Sequence, residues 1–368
     1  MAPVTARSTE RIPALDGVRG LSILSVVIGH TEGLFPAVAH WPARWLYGVN
    51  WPGVDSFFVL SGFLITGLLL DARGTGDRPP RGYFSSFYAR RVLRIFPVYY
   101  LYLAWLMLVR HLPMPAGDWG YYWTYTTNIL FLRGGGEAVE TGPLWSLAVE
   151  EQFYILWPLV IAITPRRYFR AVCWTLIATG GILAFTLTLG GHIPAEYMFI
   201  RMDELSLGGL VASYVRDETT AAPSPRTLAW VFALFVLCLI AAHKSASHQL
   251  WYLAESRAAA VVTAITIALV VGDRAHPLSR ALSARPLRSW GTYSYAIYIM
   301  HMSVAVPVMR VIRARLPASA TQPLAAIVAT LCVCWVAGWL SYHIIERPML
   351  SLKRFVPMPT MIAARMSA

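Results

Sequence analysis

His30 closes an apolar run, LSILSVVIGH, that starts directly after the charged stretch ALDGVRG. A titratable imidazole inside a membrane-length segment is costly, and such residues mark proton, ion or substrate sites. Asp16 and Arg19 precede it on the same predicted helix, and Asp55, Glu150 and His301 recur in later apolar segments. An imidazole beside a carboxylate in a dry cavity makes a suitable general base. The carboxylate orients the ring and stabilises the imidazolium that forms. The bland alternative is a histidine that only bonds a neighbouring backbone group; acidic residues at matching depth favour chemistry.

A second constellation is RRVLRIFP (90–97). Arg91 and Arg94 are three apart, so they share a helix face and can grip one anion together. The guanidinium fork suits phosphate oxygens, although any basic loop beside a membrane helix also supplies arginines. A third is WSLAVEEQFY (145–154). Its adjacent glutamates, Glu150 and Glu151, point about 100° apart on a helix, which predicts that at most one faces a given site. Glu150 follows Ser146 by one turn and precedes Tyr154 by one turn, a polar stripe through that helix.

The elements that must carry these groups are membrane helices. Of 368 residues 57% are hydrophobic and only 14% charged, against about 25% charged in soluble domains. The 14 Trp and 18 Tyr suit interfacial belts. Cys173, Cys238, Cys332 and Cys334 lie in apolar stretches without disulfide or zinc spacing, so no metal is expected. The net charge of +12 comes from arginines clustered between apolar segments. That is the positive-inside pattern and calls for no nucleic acid. No cleavable leader is evident after MAPVTARSTER.

A spanning helix needs about 20 apolar residues. The pattern predicts an all-α integral membrane bundle of about ten helices, near 15–35, 49–71, 92–110, 144–163, 170–190, 197–215, 227–243, 250–272, 290–313 and 323–345. Arginines in loops 72–91, 164–170 and 273–288, with Lys353 and Arg354, fall on one side only if 119–133 does not span. That segment is read as re-entrant or interfacial, and both termini as cytoplasmic. Arg310, Arg313 and Arg315 land on the outer side and run against this arrangement. Residues 1–368 read as a single transmembrane domain with short tails. The rise of a helix puts Arg19 and His30 roughly 16 Å apart along the first helix, with Asp55 and Glu150 entering from the side nearer His30.

The strings ALDGVRGLSILSVVIGH, GVDSFFVLSGFLIT, FYARRVLRIFP, LWSLAVEEQFYILWP, RMDELSLGG, SYAIYIMH and IIERP occur in the order found in the acyltransferase-3 family. From about 11 to 350 the chain resembles these integral-membrane O-acyltransferases. The resemblance implies an acyl group, often acetyl, taken from cytoplasmic acyl-CoA and passed to a hydroxyl of a sugar, glycolipid or macrolide, at the cell membrane and without a further cofactor. It carries the essential histidine onto His30, the Asp-Gly-x-Arg stretch onto Asp16 and Arg19, and the Arg-x-x-Arg pair onto Arg91 and Arg94. The Val-Glu motif falls on Glu150 and the Glu-x-Pro motif on Glu346. Asp55, Ser61 and Gly62 match the second-helix motif and His301 the late Tyr-x-x-His motif, whereas Arg201, followed by MDEL, matches loosely.

On this reading Arg91, Arg94 and Arg19, with Asp16 beside them, hold the CoA phosphates. His30 takes the proton of the acceptor hydroxyl. Glu150 or Asp55 orients His30, and the sequence leaves the choice open. Tyr154, Ser61, Arg201, His301 and Glu346 shape the cavity. Some relatives carry a fused esterase-like domain; without one the chain is expected to finish the transfer itself or to pass the acyl group on. Compact actinomycete relatives acylate macrolides. The rival class is a transporter with His30 and Glu150 as a proton relay, but it shows no internal repeat and gives the arginine pair no role.

Overall fold

The structure is a computed structural model, and it describes residues 12–34, 52–136, 138–191, 196–217, 248–317 and 321–357. Every described element is helical. They are α1 (Pro13–Gly33), α2 (Pro52–Arg73), α3 (Tyr83–Leu108), α4 (Trp119–Trp123), α5 (Thr127–Leu132), α6 (Leu144–Ile163), α7 (Arg166–Leu189) and α8 (Met198–Val215). After them come α9 (His248–Gly272), α10 (Pro277–Leu282), α11 (Arg285–Arg315), α12 (Thr321–Ser341) and α13 (Arg347–Ser351). A π turn, Tyr342–Glu346, joins α12 to α13, and a 3-10 turn, Leu352–Phe355, follows.

The predicted helix 227–243 lies outside the described residues; the other nine are present. Among the described residues seven helical stretches are long and apolar enough to cross a bilayer, so the nine predicted spans that are described become seven by that measure. The two that drop out are α1 and α8. Asp16, Arg19 and Glu32 dilute the apolarity of α1, and Arg201, Asp203 and Glu204 that of α8. Both helices are largely buried in the bundle, where neighbouring helices rather than lipid surround their charges. Lipid-type apolar residues instead point outward, as Ile155, Leu159 and Ile163 do on α6 and Phe185 and Leu189 on α7.

Two seams bring backbones unusually close. A Cβ at Gly291 would stand 1.8 Å from the Asp16 carbonyl oxygen, which fixes α11 against α1. A Cβ at Gly208 would stand 1.9 Å from the Val59 carbonyl oxygen, which fixes α8 against α2. In a bilayer helices associate by such small-residue packing, since lipid tails are as apolar as leucine. The cross-contacts also set direction. Gly20 meets Leu287 near the start of both helices while His30 meets His301 further on, so α1 and α11 run parallel. Asp55 pairs with Arg201 and Asp71 with Arg216, so α2 and α8 run parallel as well.

The arginine-bearing loops gather at one end of the bundle. Arg73 donates to the carbonyls of Ile161 and Thr164 at the end of α6, and the backbone of Arg166 reaches Asp77. Segment 119–133 forms the short helices α4 and α5, broken near Tyr125, which has φ +52°. Neither can cross a bilayer. Tyr99 and Tyr100 on the second half of α3 donate to the carbonyls of Tyr122 and Trp123, which keeps the segment at the opposite end. Arg310, Arg313 and Arg315 occupy the last turns of a long α11. Its 31 residues extend about 46 Å, past a hydrocarbon core of roughly 30 Å, and Arg313 bonds the Leu34 carbonyl just beyond α1.

Candidate active site

The α1–α11 seam places two imidazoles against each other. Nδ1 of His30 lies 3.0 Å from Nε2 of His301, with the rings stacked at 5.0 Å between centroids. Nδ1 of His301 lies 2.7 Å from the Tyr298 carbonyl oxygen. A carbonyl only accepts, so this Nδ1 carries a proton. A neutral imidazole has one N–H, which leaves Nε2 of His301 as acceptor and makes Nδ1 of His30 the donor. The basic lone pair of His30 therefore resides on Nε2, the arrangement a proton-abstracting imidazole needs.

Below this pair, residues of α1, α2, α3, α6 and α11 line one cavity. Its cationic wall is Arg19, Arg91 and Arg94, and its acidic wall Glu150 and Glu151. Ser61 donates to Oε1 of Glu150 at 2.5 Å, and Tyr154 donates to Ser61 at 3.3 Å. The Arg91 guanidinium lies over the Tyr154 ring, 5.1 Å from its centroid. The cavity is capped by Phe57, Ser146 and Tyr298, with the Tyr298 and Ser146 hydroxyls 2.5 Å apart. Tyr298 precedes His301 by one turn, and neither His30 nor His301 lines the cavity. An arginine-walled chamber thus ends at a tyrosine ceiling directly beneath a histidine pair.

Asp55 is elsewhere. Its Oδ1 takes hydrogen bonds from Arg201 at 2.8 Å and Ser256 at 3.0 Å, and Arg201 also holds Glu204 at 2.6 Å. Arg257 joins Asp203 and Glu204 to the same cluster. Asp55 and Arg201 are almost wholly buried, at 0% and 1% exposure, and neither lines the cavity. An ion pair between α2 and α8 accounts for both. The partner of His30 is consequently His301 rather than Asp55 or Glu150, and Glu150 faces the chamber.

The acyltransferase-3 description, "Acyltransferase domain", matches residues 12–339. The chain belongs to the acyltransferase-3 family. It is similar to the YrhL protein of Bacillus subtilis (strain 168), provisionally named a peptidoglycan O-acetyltransferase, with 30% identity over 92% of this chain and 54% of that protein. It is also similar to the peptidoglycan O-acetyltransferase OatA of Listeria monocytogenes, with 26% identity over 95% of this chain and 57% of OatA. The chain thus spans little more than half the length of these relatives. No solved structure matches it.

For an acyltransferase-3 chain, several predicted residues sit differently from expectation. Asp16 is an ion partner of Arg19 at 3.6 Å and does not line the chamber, so it can reach a phosphate only through that arginine. Glu346 is buried in the π turn behind α3, outside the chamber lining. His301 braces His30 instead of shaping the cavity. Glu151 was missed, because a 100° separation excludes a shared site only when the site is narrow. This chamber wraps around α6 far enough to meet both glutamates. Ser294, Tyr295 and Tyr298, one face of α11, were missed as well, although SYAIYIMH repeats polar residues at helical spacing.

Proposed function

We propose that this chain transfers an acyl group, acetyl in the first instance, from acyl-CoA to a carbohydrate hydroxyl at the membrane. The observation that carries the reading is the alignment along α1 and α11 of an arginine-walled chamber with a histidine pair one turn above it. Arg91, Arg94 and Arg19 hold the CoA pyrophosphate from the arginine-rich, cytoplasmic end. The pantetheine arm runs up the Ser61–Glu150–Tyr154 wall and brings the thioester to the ceiling at Tyr298.

His30 is the general base. Its Nε2 takes the proton of the acceptor hydroxyl while the oxygen attacks the thioester carbonyl carbon. The C–S bond breaks, the ester forms, and the CoA thiolate leaves with the proton returned by the imidazolium. His301 holds the tautomer that makes this possible. The acceptor approaches His30 from the end opposite the arginines. A carbohydrate is favoured because the relatives are named for acetylating a glycan; a transporter reading has no comparable support.

The test is transfer of labelled acetyl from acetyl-CoA, by the purified protein, to an oligosaccharide, a lipid-linked sugar or a macrolide. Label on a carbohydrate and none on the macrolide is expected. His30→Ala should abolish transfer and retain acetyl-CoA binding. Near-wild-type turnover in that variant would sink the scheme.

A further inference from the structure

Glu151 lines the chamber and has no part in the reaction described above. It is a buried carboxylate, at 8% exposure. Among the described residues it makes no hydrogen bond and no ion pair. Its neighbour differs, since the Ser61 hydroxyl holds Glu150. Arg91 and Arg94 line the same cavity, and neither is ion-paired with Glu151 or with any other described carboxylate. A buried charge without a partner is costly, so this carboxylate is stable when a hydrogen-bond donor meets it from within the cavity.

Contacts along α6 fix its height. Ser146 meets Tyr298 at the ceiling, and lower down Tyr154 lies under the Arg91 guanidinium. Glu151 falls between them, about 7.5 Å along the axis from Ser146 and about 4.5 Å from Tyr154. Helical side chains lean towards the N-terminus, which on α6 is the ceiling end, so the carboxylate reaches from the level of Arg91 towards Tyr298. A carboxylate at phosphate height would repel the phosphates of a donor. Above them the neutral arm of acyl-CoA offers two amide N–H groups and one hydroxyl, and the nearer amide nitrogen is only three bonds from the thioester sulphur. With the thioester at the ceiling, that N–H is the group that arrives at Glu151.

We propose that Glu151 is a specificity-determining residue for the donor, its carboxylate accepting the amide N–H next to the thioester of acyl-CoA. The assignment rests on the acyl-CoA reading. It gives the adjacent glutamates separate tasks: Glu150, tied to Ser61, builds the wall, and Glu151 sets how far the arm advances. A site built around such a hydrogen bond rejects thioesters that lack the N–H, because the buried carboxylate is then left unpaired.

The experiment compares acetyl-CoA with its analogue in which an ester replaces the amide next to the thioester, as donors for the full chain in nanodiscs. Wild-type protein should favour acetyl-CoA by about tenfold in kcat/KM, the worth of one charge-assisted contact. Glu151→Met keeps the length of the side chain without its acceptor, and should bring that preference to within about twofold. Glu151→Gln still offers an amide oxygen and should keep about threefold. Damage to the fold lowers both donors alike and leaves the ratio standing, so an intact preference in Glu151→Met overturns the assignment. A wild type without preference overturns it too, as does a preference lost in Glu150→Gln and kept in Glu151→Met. Should Glu151→Met fail to fold, an undiminished ratio in Glu151→Gln is the overturning result. Absence of transfer from acetyl-CoA in the wild type would refute the donor reading beneath it instead.

Discussion

Nδ1 of His30 and Nε2 of His301 are 3.0 Å apart across the α1–α11 seam, although 271 residues separate them in sequence. His301 in turn is anchored to the Tyr298 carbonyl, so one backbone oxygen sets the tautomers of both rings. Second groups of this kind orient a reactive imidazole in much the way a carboxylate does.

Replacing His301 by Ala should therefore lower kcat by roughly a hundredfold or more, within the span attributed to a positioned general base, with KM for acetyl-CoA little changed. His301→Gln should recover a substantial part. The amide oxygen can accept from His30, and the amide N–H can reach the Tyr298 carbonyl. Equal losses in the two variants, measured as initial rates at saturating donor, would mean that His301 acts by bulk alone.

Asp55 and Arg201 predict a different signature. Removing one member of a fully buried pair leaves an uncompensated charge and costs about 3–5 kcal/mol. Asp55→Asn and Arg201→Gln should each lower the melting temperature in detergent, and their loss of activity should track loss of folded protein. An Asp55→Asn protein that melts like the wild type yet turns over a thousandfold more slowly would return Asp55 to the chemistry.

The contrast between these two residues shows what the chain discloses before it folds. His30, Arg91 and Arg94 were legible because each breaks a local rule: an imidazole in an apolar run, two arginines on one helix face. The helices were legible because apolar runs of bilayer length have few other solutions. Partnerships were not. Depth along a helix places Asp55, Glu150 and His30 at similar heights, but azimuth decides who meets whom. The azimuths of α1 and α2 are set by close approaches at Gly291 and Gly208, which no spacing rule reveals. Glu151 was hidden for a related reason, since the width of a chamber is a property of five helices and not of one.

Gly291 gives the third prediction. With 1.8 Å between a new Cβ and the Asp16 carbonyl oxygen, Gly291→Ala must push α11 from α1. Overpacking of this kind costs about 1–3 kcal/mol. The larger consequence is catalytic, because a displacement near 1 Å at a reacting group can cost about a hundredfold in rate. A melting temperature lowered by several degrees together with a collapse of kcat is the expected result. Wild-type kcat in this variant would mean that the histidine pair tolerates the shift.

The last prediction concerns the ceiling. In the proposed reaction the thioester passes Tyr298 to reach His30, and Tyr298 is held by the 2.5 Å contact between the Tyr298 and Ser146 hydroxyls and by a weaker one to the Pro143 carbonyl. Removing such a hydrogen bond costs about 1 kcal/mol of the closed state, or roughly fivefold in the open population. Tyr298→Phe should thus raise acetyl-CoA hydrolysis in the absence of acceptor by about fivefold, since water then shares access to the thioester. Ser146→Ala should do the same, and the double variant should add little, because both delete one interaction. Independent, multiplying effects in the two single variants would show that the hydroxyl pair does not form the barrier.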